Sequence, residues 1–172
     1  MTDPQAIRTR IADLYLSGRQ DHRMMGAPSD HAAITLLVAR FDDAVNRRDL
    51  TEFSALWCDD AVWEIEAPMP MRTEGAAAIV RTWQHMLGGT QWLFRGSFAG
   101  VLQVDGDRAS GRWPCVETGT FADGKGYDNR AIYEDQYRRD AVGWRFLRRR
   151  YVYLWLSSEP LPGAPVALAA GA

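Results

Sequence analysis

Glu117 is the side chain in this sequence that is best placed for acid–base chemistry. The segment from residue 112 to 121 alternates as a β-strand does, and Glu117 lies on its more apolar face. Its neighbours on that face are Trp113, Cys115 and Phe121. A lone carboxylate among such neighbours has a raised pKa, so it can exchange protons near neutral pH. The alternative is a structural ion pair between Glu117 and Arg95 or Arg149.

Arg95 is a second candidate, because it interrupts an apolar and small stretch that runs from Trp92 to Gly96. An inward-facing guanidinium would keep Glu117 ionised or bind a substrate oxygen through two hydrogen bonds. An outward-facing one would be an ordinary solvated arginine. The sequence leaves both orientations open.

Four other residues have reactive side chains in positions that do not favour catalysis. Cys115 is a nucleophile by type, but a buried strand cysteine is usually inert. His85 is expected near the C-terminus of a helix, where an imidazole is more often a solvated partner of the helix dipole. Asp42 and Asp43 lie off the apolar stripe of their helix, so both are expected at the surface.

Helical patterns fill the first half of the chain. Apolar residues recur with the 3.6-residue period, and Asp or Thr side chains stand where helix N-caps are expected. The four expected helices are Ala6 to Arg19, one capped by Asp30, one opened by the Asp49–Glu52 capping box, and one capped by Thr73. A short strand is expected at 61–66, before a loop that contains Pro68 and Pro70.

The apolar period changes to two beyond residue 90, which predicts a sheet. The four long strands are expected at 92–104, 108–121, 127–139 and 144–156, with hairpin turns between them. Helices followed by an antiparallel meander indicate an α+β fold. Three helices would close the curved sheet into a cone with an internal pocket for small apolar molecules. Residues 31–156 would form this domain, between an N-terminal helical extension (1–30) and an irregular tail (157–172).

Composition excludes several classes of protein. The chain has 172 residues and a net charge of −2, which fits one domain and lacks the basic face of a nucleic-acid binder. Two cysteines do not make a disulfide framework, and neither a signal peptide nor a membrane span is evident. A cytoplasmic protein without metal or cofactor is expected. Seven tryptophans exceed what a core of this size needs, and the excess is expected to line the cavity.

Three strings of residues resemble the SnoaL-like branch of the nuclear transport factor 2-like superfamily. They are Leu56-Trp57-Cys58-Asp59-Asp60-Ala61-Val62-Trp63, Val104-Asp105-Gly106-Asp107-Arg108-Ala109-Ser110-Gly111-Arg112-Trp113, and Gly143-Trp144-Arg145-Phe146 with Arg149. The resemblance covers roughly residues 30–156 and implies the cone fold. The superfamily includes dehydratases, cyclases, isomerases and non-catalytic transport factors, so the fold alone does not fix the function.

The resemblance also implies positions for a catalytic pair. Dehydratases of this branch carry a Tyr or Lys and, five residues later, an Asp on the first conserved helix, and a His on the following sheet. The matching positions here hold Phe41, Asn46 and Arg95. The usual His–Asp pair is therefore absent, and an enzyme of this branch would need another base.

A similarity to the bile-acid dehydratase suggests which residue that base is. The segment from Gly111 to Lys125 is similar to it without a gap, and its catalytic acidic residue falls on Glu117. The family match implies that Asn129 and Tyr133 face the pocket, where they and Arg95 would donate hydrogen bonds. The expected substrate-binding residues are Phe41, Asn46, Trp63, Trp113, Cys115, Arg149 and Tyr153.

Two functions are consistent with these features. The first is a cofactor-independent enzyme that dehydrates, isomerises or cyclises a hydrophobic cyclic or polycyclic molecule by proton abstraction. The second is a non-catalytic binding or scaffolding module of the same fold, which the missing pair favours. A homodimer is expected for either function, and neither nucleic acid nor membrane is an expected partner.

Overall fold

The structure is a computed structural model in which residues 26–159 are described. It is an α+β fold of three helices packed on a curved, unclosed sheet of seven strands. The helices are α1 (Pro28–Arg47), α2 (Leu50–Ala55) and α3 (Ala76–Gly88). The strands are β1 (Trp57–Ile65), β2 (Met71–Glu74), β3 (Thr90–Ser97), β4 (Val101–Asp105), β5 (Arg108–Phe121), β6 (Gly126–Asp140) and β7 (Gly143–Ser157). The expected helix at 6–19 and residues 160–172 of the expected tail lie outside the described residues.

The sheet is mixed, whereas an antiparallel sheet of five strands was expected. Its order is β2-β1-β7-β6-β5-β3, and β4 also pairs with β5. β1 runs parallel to β7, because the whole helical and meander region separates these two strands and gives the chain room to return in the same direction. All the other pairings are antiparallel, so the expected meander of β5, β6 and β7 is present.

Helix starts differ from the expectation at two places. Helix α1 begins at Pro28 without a side-chain cap, and Asp30 in its first turn accepts hydrogen bonds from Arg139 and Trp144 instead. Helix α3 begins after Gly75, whose φ of 85° suits glycine, and Thr73 belongs to β2. The cap at Asp49 is confirmed, since its carboxylate accepts the backbone N–H of Glu52 at 2.9 Å.

The single strand expected at 92–104 is two strands. β3 and β4 are separated at residues 98–100, and both pair with β5. A Cβ at Gly100 would lie 2.5 Å from the carbonyl oxygen of Arg112, so the chain crosses β5 closely at this break. The expected bounds of β5 are confirmed, and with them the face on which Glu117 lies.

A bulge moves one tryptophan to the opposite face of the sheet. The pairing of β6 with β7 shifts between Arg130 and Ala131, so Tyr153 faces inward while Trp155 pairs with Arg130 on the outer face. Trp155 is 52% exposed, although strict alternation from Tyr153 predicts that it faces inward. Strict alternation along β7 does not reveal such a shift, because an extra residue changes the phase of the pattern.

The core lies between the helices and the inner face of the sheet. The apolar stripe of α1 is buried as its period predicts, from Ile34 to Val45. Phe41 contacts the rings of Phe53, Trp57 and Phe146 with centroids 5.4–6.1 Å apart. No helix among residues 26–159 combines the length and the apolar character needed to cross a membrane.

Candidate active site

A cavity of about 410 Å³ lies inside the fold, between the helices and the inner face of the sheet. Its wall is mainly aromatic and aliphatic, with side chains from α1 and α3 opposite those from β1, β3, β5, β6 and β7. The aromatic members are Phe41, Trp63, Trp83, Phe121, Tyr127, Tyr133, Tyr151 and Tyr153. A space of this size and lining accepts a small hydrophobic molecule.

Glu117 is the carboxylate that this cavity exposes. It lies on β5, and a quarter of its side chain remains accessible, while the surrounding protein removes most of its water. Burial raises the pKa of Glu117, and the charge of Arg95 and an interaction with the Tyr127 hydroxyl partly offset that increase. The inward orientation predicted from strand alternation places a proton acceptor at the cavity wall.

Arg95 faces inward, so the structure selects one of its two expected orientations. Its side chain is 1% exposed, and its Nη1 lies 3.2 Å from Oε2 of Glu117. The rings of Phe41 and Tyr133 lie 5.0 and 4.8 Å from the guanidinium carbon. Burial disfavours the charge, but the acidic groups around it raise the pKa of Arg95 above its ordinary value. Arg95 is therefore a fixed cation and does not serve as the base.

Asp42 is a site residue whose position the sequence predicts wrongly. It was expected at the surface, but it is buried and accepts a hydrogen bond from Nε of Arg95 at 2.6 Å. Its second oxygen accepts the backbone N–H of Ser97 at 2.7 Å. The available signal was its position four residues after Val38, on the flank of the apolar stripe. Asp43 is exposed as expected and pairs with Arg47.

The Asp42→Asn substitution is expected to destabilise the protein by about 2–4 kcal/mol, because an amide leaves the buried Arg95 charge with Glu117 as its remaining partner. The matched control is Asp43→Asn at the next position, which removes an exposed helical ion pair and is expected to cost less than about 0.5 kcal/mol. Urea unfolding followed by far-ultraviolet circular dichroism measures both. Equal effects of the two substitutions would contradict the assigned role of Asp42.

Asn46 holds the backbone of Arg95 and does not line the cavity. Its side-chain nitrogen donates to the carbonyl of Arg95, and its oxygen accepts the N–H of the same residue, both at 2.8 Å. It lies one helical turn beyond Asp42, so one face of α1 fixes β3 at two points. The resemblance implies an acidic partner for a histidine at this position. Here the position holds Asn46, which fixes the backbone of Arg95 instead.

Tyr133 and Asn129 line the cavity on β6, as the resemblance implies. Asn129 is directly opposite Glu117 in the strand pairing, and its side-chain oxygen has no hydrogen-bond partner. Burial raises the pKa of Tyr133 to about 12, so its hydroxyl keeps its proton at neutral pH. Both side chains are available as polar groups beside the carboxylate.

Of the seven expected substrate-binding residues, the cavity wall includes Phe41, Trp63 and Tyr153. Trp113, Cys115 and Arg149 do not line it, although all three are buried. Burial raises the pKa of Cys115 to about 11, which makes its thiol unreactive at neutral pH.

Arg149 belongs to a separate polar network in the core. Its Nε lies 3.0 Å from Asp135, whose other oxygen accepts the hydroxyl of Tyr137 at 2.8 Å. Trp113 in turn donates to that hydroxyl at 2.6 Å. The guanidinium carbon of Arg149 lies 3.9–4.1 Å from the ring centres of Phe41, Tyr133 and Phe146, so it supports two cavity walls from behind.

Several lining residues are not among the site residues that the sequence predicts. Tyr127 and Tyr151 approach Glu117 from β6 and β7, and Lys125 lies at the rim. The residues that α3 supplies are Trp83, Met86 and Leu87, whereas His85 is exposed and does not line the cavity. Within residues 26–159 no group of three His, Cys, Asp or Glu side chains is arranged to hold a metal ion.

A sequence profile describing the SnoaL-like domain matches residues 27–150. The chain belongs to the SnoaL-like domain family. This assignment confirms the branch that the three sequence strings resemble. No curated protein matches this SnoaL-like chain at a significant level.

Solved structures share the fold of this SnoaL-like protein at low sequence identity. A candidate aromatic ring hydroxylase from Novosphingobium aromaticivorans is 22% identical, with a TM-score of 0.73 over 77% of this chain and 95% of that one. A hexachlorocyclohexane dehydrochlorinase from Novosphingobium barchaimii LL02 is 19% identical, with a TM-score of 0.71 over 82% and 96%. A candidate scytalone dehydratase from Novosphingobium aromaticivorans is 14% identical, with a TM-score of 0.69 over 80% and 96%. At these identities the likeness establishes the fold.

Proposed function

We propose that this SnoaL-like protein is a cofactor-independent enzyme that removes a proton from a carbon of a hydrophobic cyclic molecule. The observation that carries the proposal is the partly accessible Glu117 carboxylate, which lies in an aromatic cavity beside the buried Arg95 cation. A desolvated carboxylate is a stronger base than one in water, and a fixed positive charge beside it stabilises negative charge that develops on the substrate.

The proposed reaction begins with a C–H bond next to a carbonyl group of the substrate. The proton goes to Glu117, and the electron pair of that bond moves into the ring to form an enolate, with its charge on the former carbonyl oxygen. In a dehydration, the enolate expels a hydroxyl group from the neighbouring carbon, and this group takes a proton and leaves as water. Return of the proton to a different carbon gives an isomerisation instead.

Three neighbours of Glu117 would stabilise the oxygen atoms of the substrate. Arg95 places a positive charge at one side of the Glu117 carboxylate. On the adjacent strand β6, the hydroxyl of Tyr133 and the amide of Asn129 can form hydrogen bonds with the substrate. Arg95, Asn129, Tyr151 and Trp63 each have a buried polar atom without a hydrogen-bond partner. An oxygen-bearing ligand could satisfy such atoms after small side-chain shifts, which would favour its binding.

Deuterium exchange tests the proposal directly. The protein is incubated in D₂O with a panel of cyclic ketones and β-hydroxy ketones of two to four rings, and the products are analysed by mass spectrometry. We expect deuterium uptake next to the carbonyl, or loss of water, that depends on the protein for at least one compound. Compounds that bind and are recovered without deuterium would contradict proton abstraction.

The second candidate function is a non-catalytic ligand carrier or scaffold. Two observations favour it: Arg95 occupies the position where the resemblance expects a histidine, and it is held in ion pairs. Ligands that raise the melting temperature but are never exchanged or converted would identify a carrier. Those two readouts separate the carrier from the enzyme with the same set of compounds.

The expected homodimer stays a prediction. Phe94 and Trp155 on the outer face of the sheet, and Phe98 directly after β3, are between 50 and 58% exposed, which is apolar surface that a second copy of the chain could cover. Light scattering of the purified protein measures its mass in solution. A monomer at all concentrations would remove this expectation.

A further inference from the structure

The charges around the cavity are not equally accessible to a ligand. The Glu117 side chain is 25% exposed, whereas the Arg95 side chain is 1% exposed and is shielded by the rings of Phe41 and Tyr133. Lys125 at the rim lies 2.8 Å from Asp123, which neutralises it. A ligand inside the cavity therefore meets the Glu117 carboxylate directly, whereas Arg95, which also borders the cavity, offers it almost no accessible surface.

The buried charges around the cavity also sum to a negative value. Asp42 and Glu117 both contact Arg95, so this cluster carries a net charge of −1 when Glu117 is ionised. The deeper pair of Arg149 and Asp135 sums to zero. A low-dielectric cavity with one uncompensated negative charge attracts a cation and repels an anion.

The aromatic wall of the cavity also favours a cationic ligand. Tyr127, Tyr133, Tyr151 and Tyr153 all lie close enough to Glu117 for its charge, together with burial, to raise their pKa values. Aromatic rings attract cations through the negative potential of their faces, and the attraction is larger where water is excluded. A carboxylate within a ring of aromatic side chains is the arrangement that recognises an organic ammonium group.

We propose that the cavity is a cation-selective aromatic pocket, which binds a hydrophobic amine in its ammonium form with Glu117 as the counter-ion. The ammonium group would replace the water that Glu117 loses on burial, and the rings of the amine would pack against the apolar wall. This proposal concerns binding alone and goes beyond the proposed reaction. An ammonium ligand would occupy the base, so it would inhibit proton abstraction from a neutral substrate.

Titration of Glu117 gives the proposal a distinctive pH dependence. An ammonium ligand favours the ionised carboxylate, so its affinity rises with pH until Glu117 is fully ionised. An anionic ligand favours the protonated form, so its affinity falls over the same interval, and a neutral ligand shows no slope. The titratable and charged groups that face Glu117 are Asp42, Arg95, Cys115, Tyr127, Tyr133, Tyr151 and Tyr153. The pKa values of the tyrosines and of the cysteine are raised, so these groups stay neutral while Glu117 titrates.

Three probes of matched shape test the charge selection: 2-naphthylmethylamine, 2-naphthalenemethanol and 2-naphthoate. Isothermal titration calorimetry at several pH values between about 5.5 and 8.5 measures their dissociation constants. At the upper end we expect the amine to bind at least about tenfold more tightly than the alcohol, and the naphthoate to bind most weakly. None of the probes has a C–H bond next to a ketone, so the result does not depend on whether the protein is an enzyme.

Controls separate charge from shape. The Glu117→Gln substitution is expected to abolish the preference for the amine, and Glu134→Gln, which removes a carboxylate paired with Arg150, is expected to keep it. The pH dependence of the dissociation constants is measured on the unmodified protein, so it tests the charge selection even if the variant does not fold. An amine that binds no more tightly than the alcohol, a preference that survives Glu117→Gln, or no binding of the amine at about 1 mM would each overturn the proposal.

Discussion

The Glu117→Gln substitution is expected to lower turnover of an active substrate by about 10²–10⁴-fold, the usual contribution of a positioned general base. Glutamine has nearly the same shape as glutamate, and its side-chain oxygen can still accept a hydrogen bond from Arg95. The amide cannot accept the substrate proton, so the loss would fall on kcat more than on the binding of substrate. Initial rates of deuterium uptake or product formation measure the effect.

The pH profile of the unmodified protein provides an independent readout of the same residue. A base acts in its ionised form, so kcat/KM should rise as the pH increases through the pKa of Glu117. Burial raises that pKa, and the rise should therefore occur above the pH range of an ordinary carboxyl group. A value of kcat/KM that stays constant from about pH 4 to about pH 8 would contradict the assignment.

A matched control distinguishes the loss of the base from a general disturbance of β5 and β6. Glu134 is a carboxylate on β6 that pairs with Arg150 and does not line the cavity. Glu134→Gln is expected to leave turnover within a factor of about two, since this partly exposed ion pair lies away from the cavity and such pairs contribute little. Full activity of folded Glu117→Gln protein would remove Glu117 from the mechanism.

The sequence could predict the inward face of β5 because that strand is long, regular and paired on both sides. Period-2 alternation from Arg108 to Phe121 then places Glu117 at the cavity without any knowledge of its neighbours. The buried stripe of α1 was predictable for the corresponding reason, since a 3.6-residue period persists from Ile34 to Val45, over about three turns. In a regular helix or strand, the periodicity of the sequence is enough to predict which face is buried.

The partners of Glu117 could not be predicted with the same security. The orientation of Arg95 depends on the register of β3 against β5, and the break at Gly100 hides where that strand begins and ends. Asp42 is charged, so its position beside the apolar stripe predicts exposure unless a buried counter-charge is known. The counter-charge is on a strand 53 positions later, and no local pattern reports such a contact.

Buried charge also determines the stability of the part of the core behind the cavity. Arg149 and Asp135 have fully buried side chains and lie 3.0 Å apart, while both terminal nitrogens of Arg149 lack hydrogen-bond partners. The aromatic rings of Phe41, Tyr133 and Phe146 surround the guanidinium and compensate part of its lost hydration. The carboxylate of Asp135 supplies the remaining counter-charge, so its removal should be costly.

The Asp135→Asn substitution is expected to lower the free energy of unfolding by about 3–5 kcal/mol, because it leaves the Arg149 charge buried without a counter-ion. Its matched control is again Glu134→Gln at the preceding position, where a partly exposed pair should contribute less than about 1 kcal/mol. Urea unfolding at pH 7 gives both values.

A double substitution separates the cost of an unpaired charge from the cost of lost packing. Adding Arg149→Met to Asp135→Asn removes the charge that the single variant leaves unpaired, and the unbranched methionine can still fill much of the space between the three rings. The double variant should therefore be more stable than Asp135→Asn alone, although two changes are made. If the double variant is the less stable of the two, then Arg149 stabilises the core mainly by packing against Phe41, Tyr133 and Phe146, and the ion pair with Asp135 is secondary.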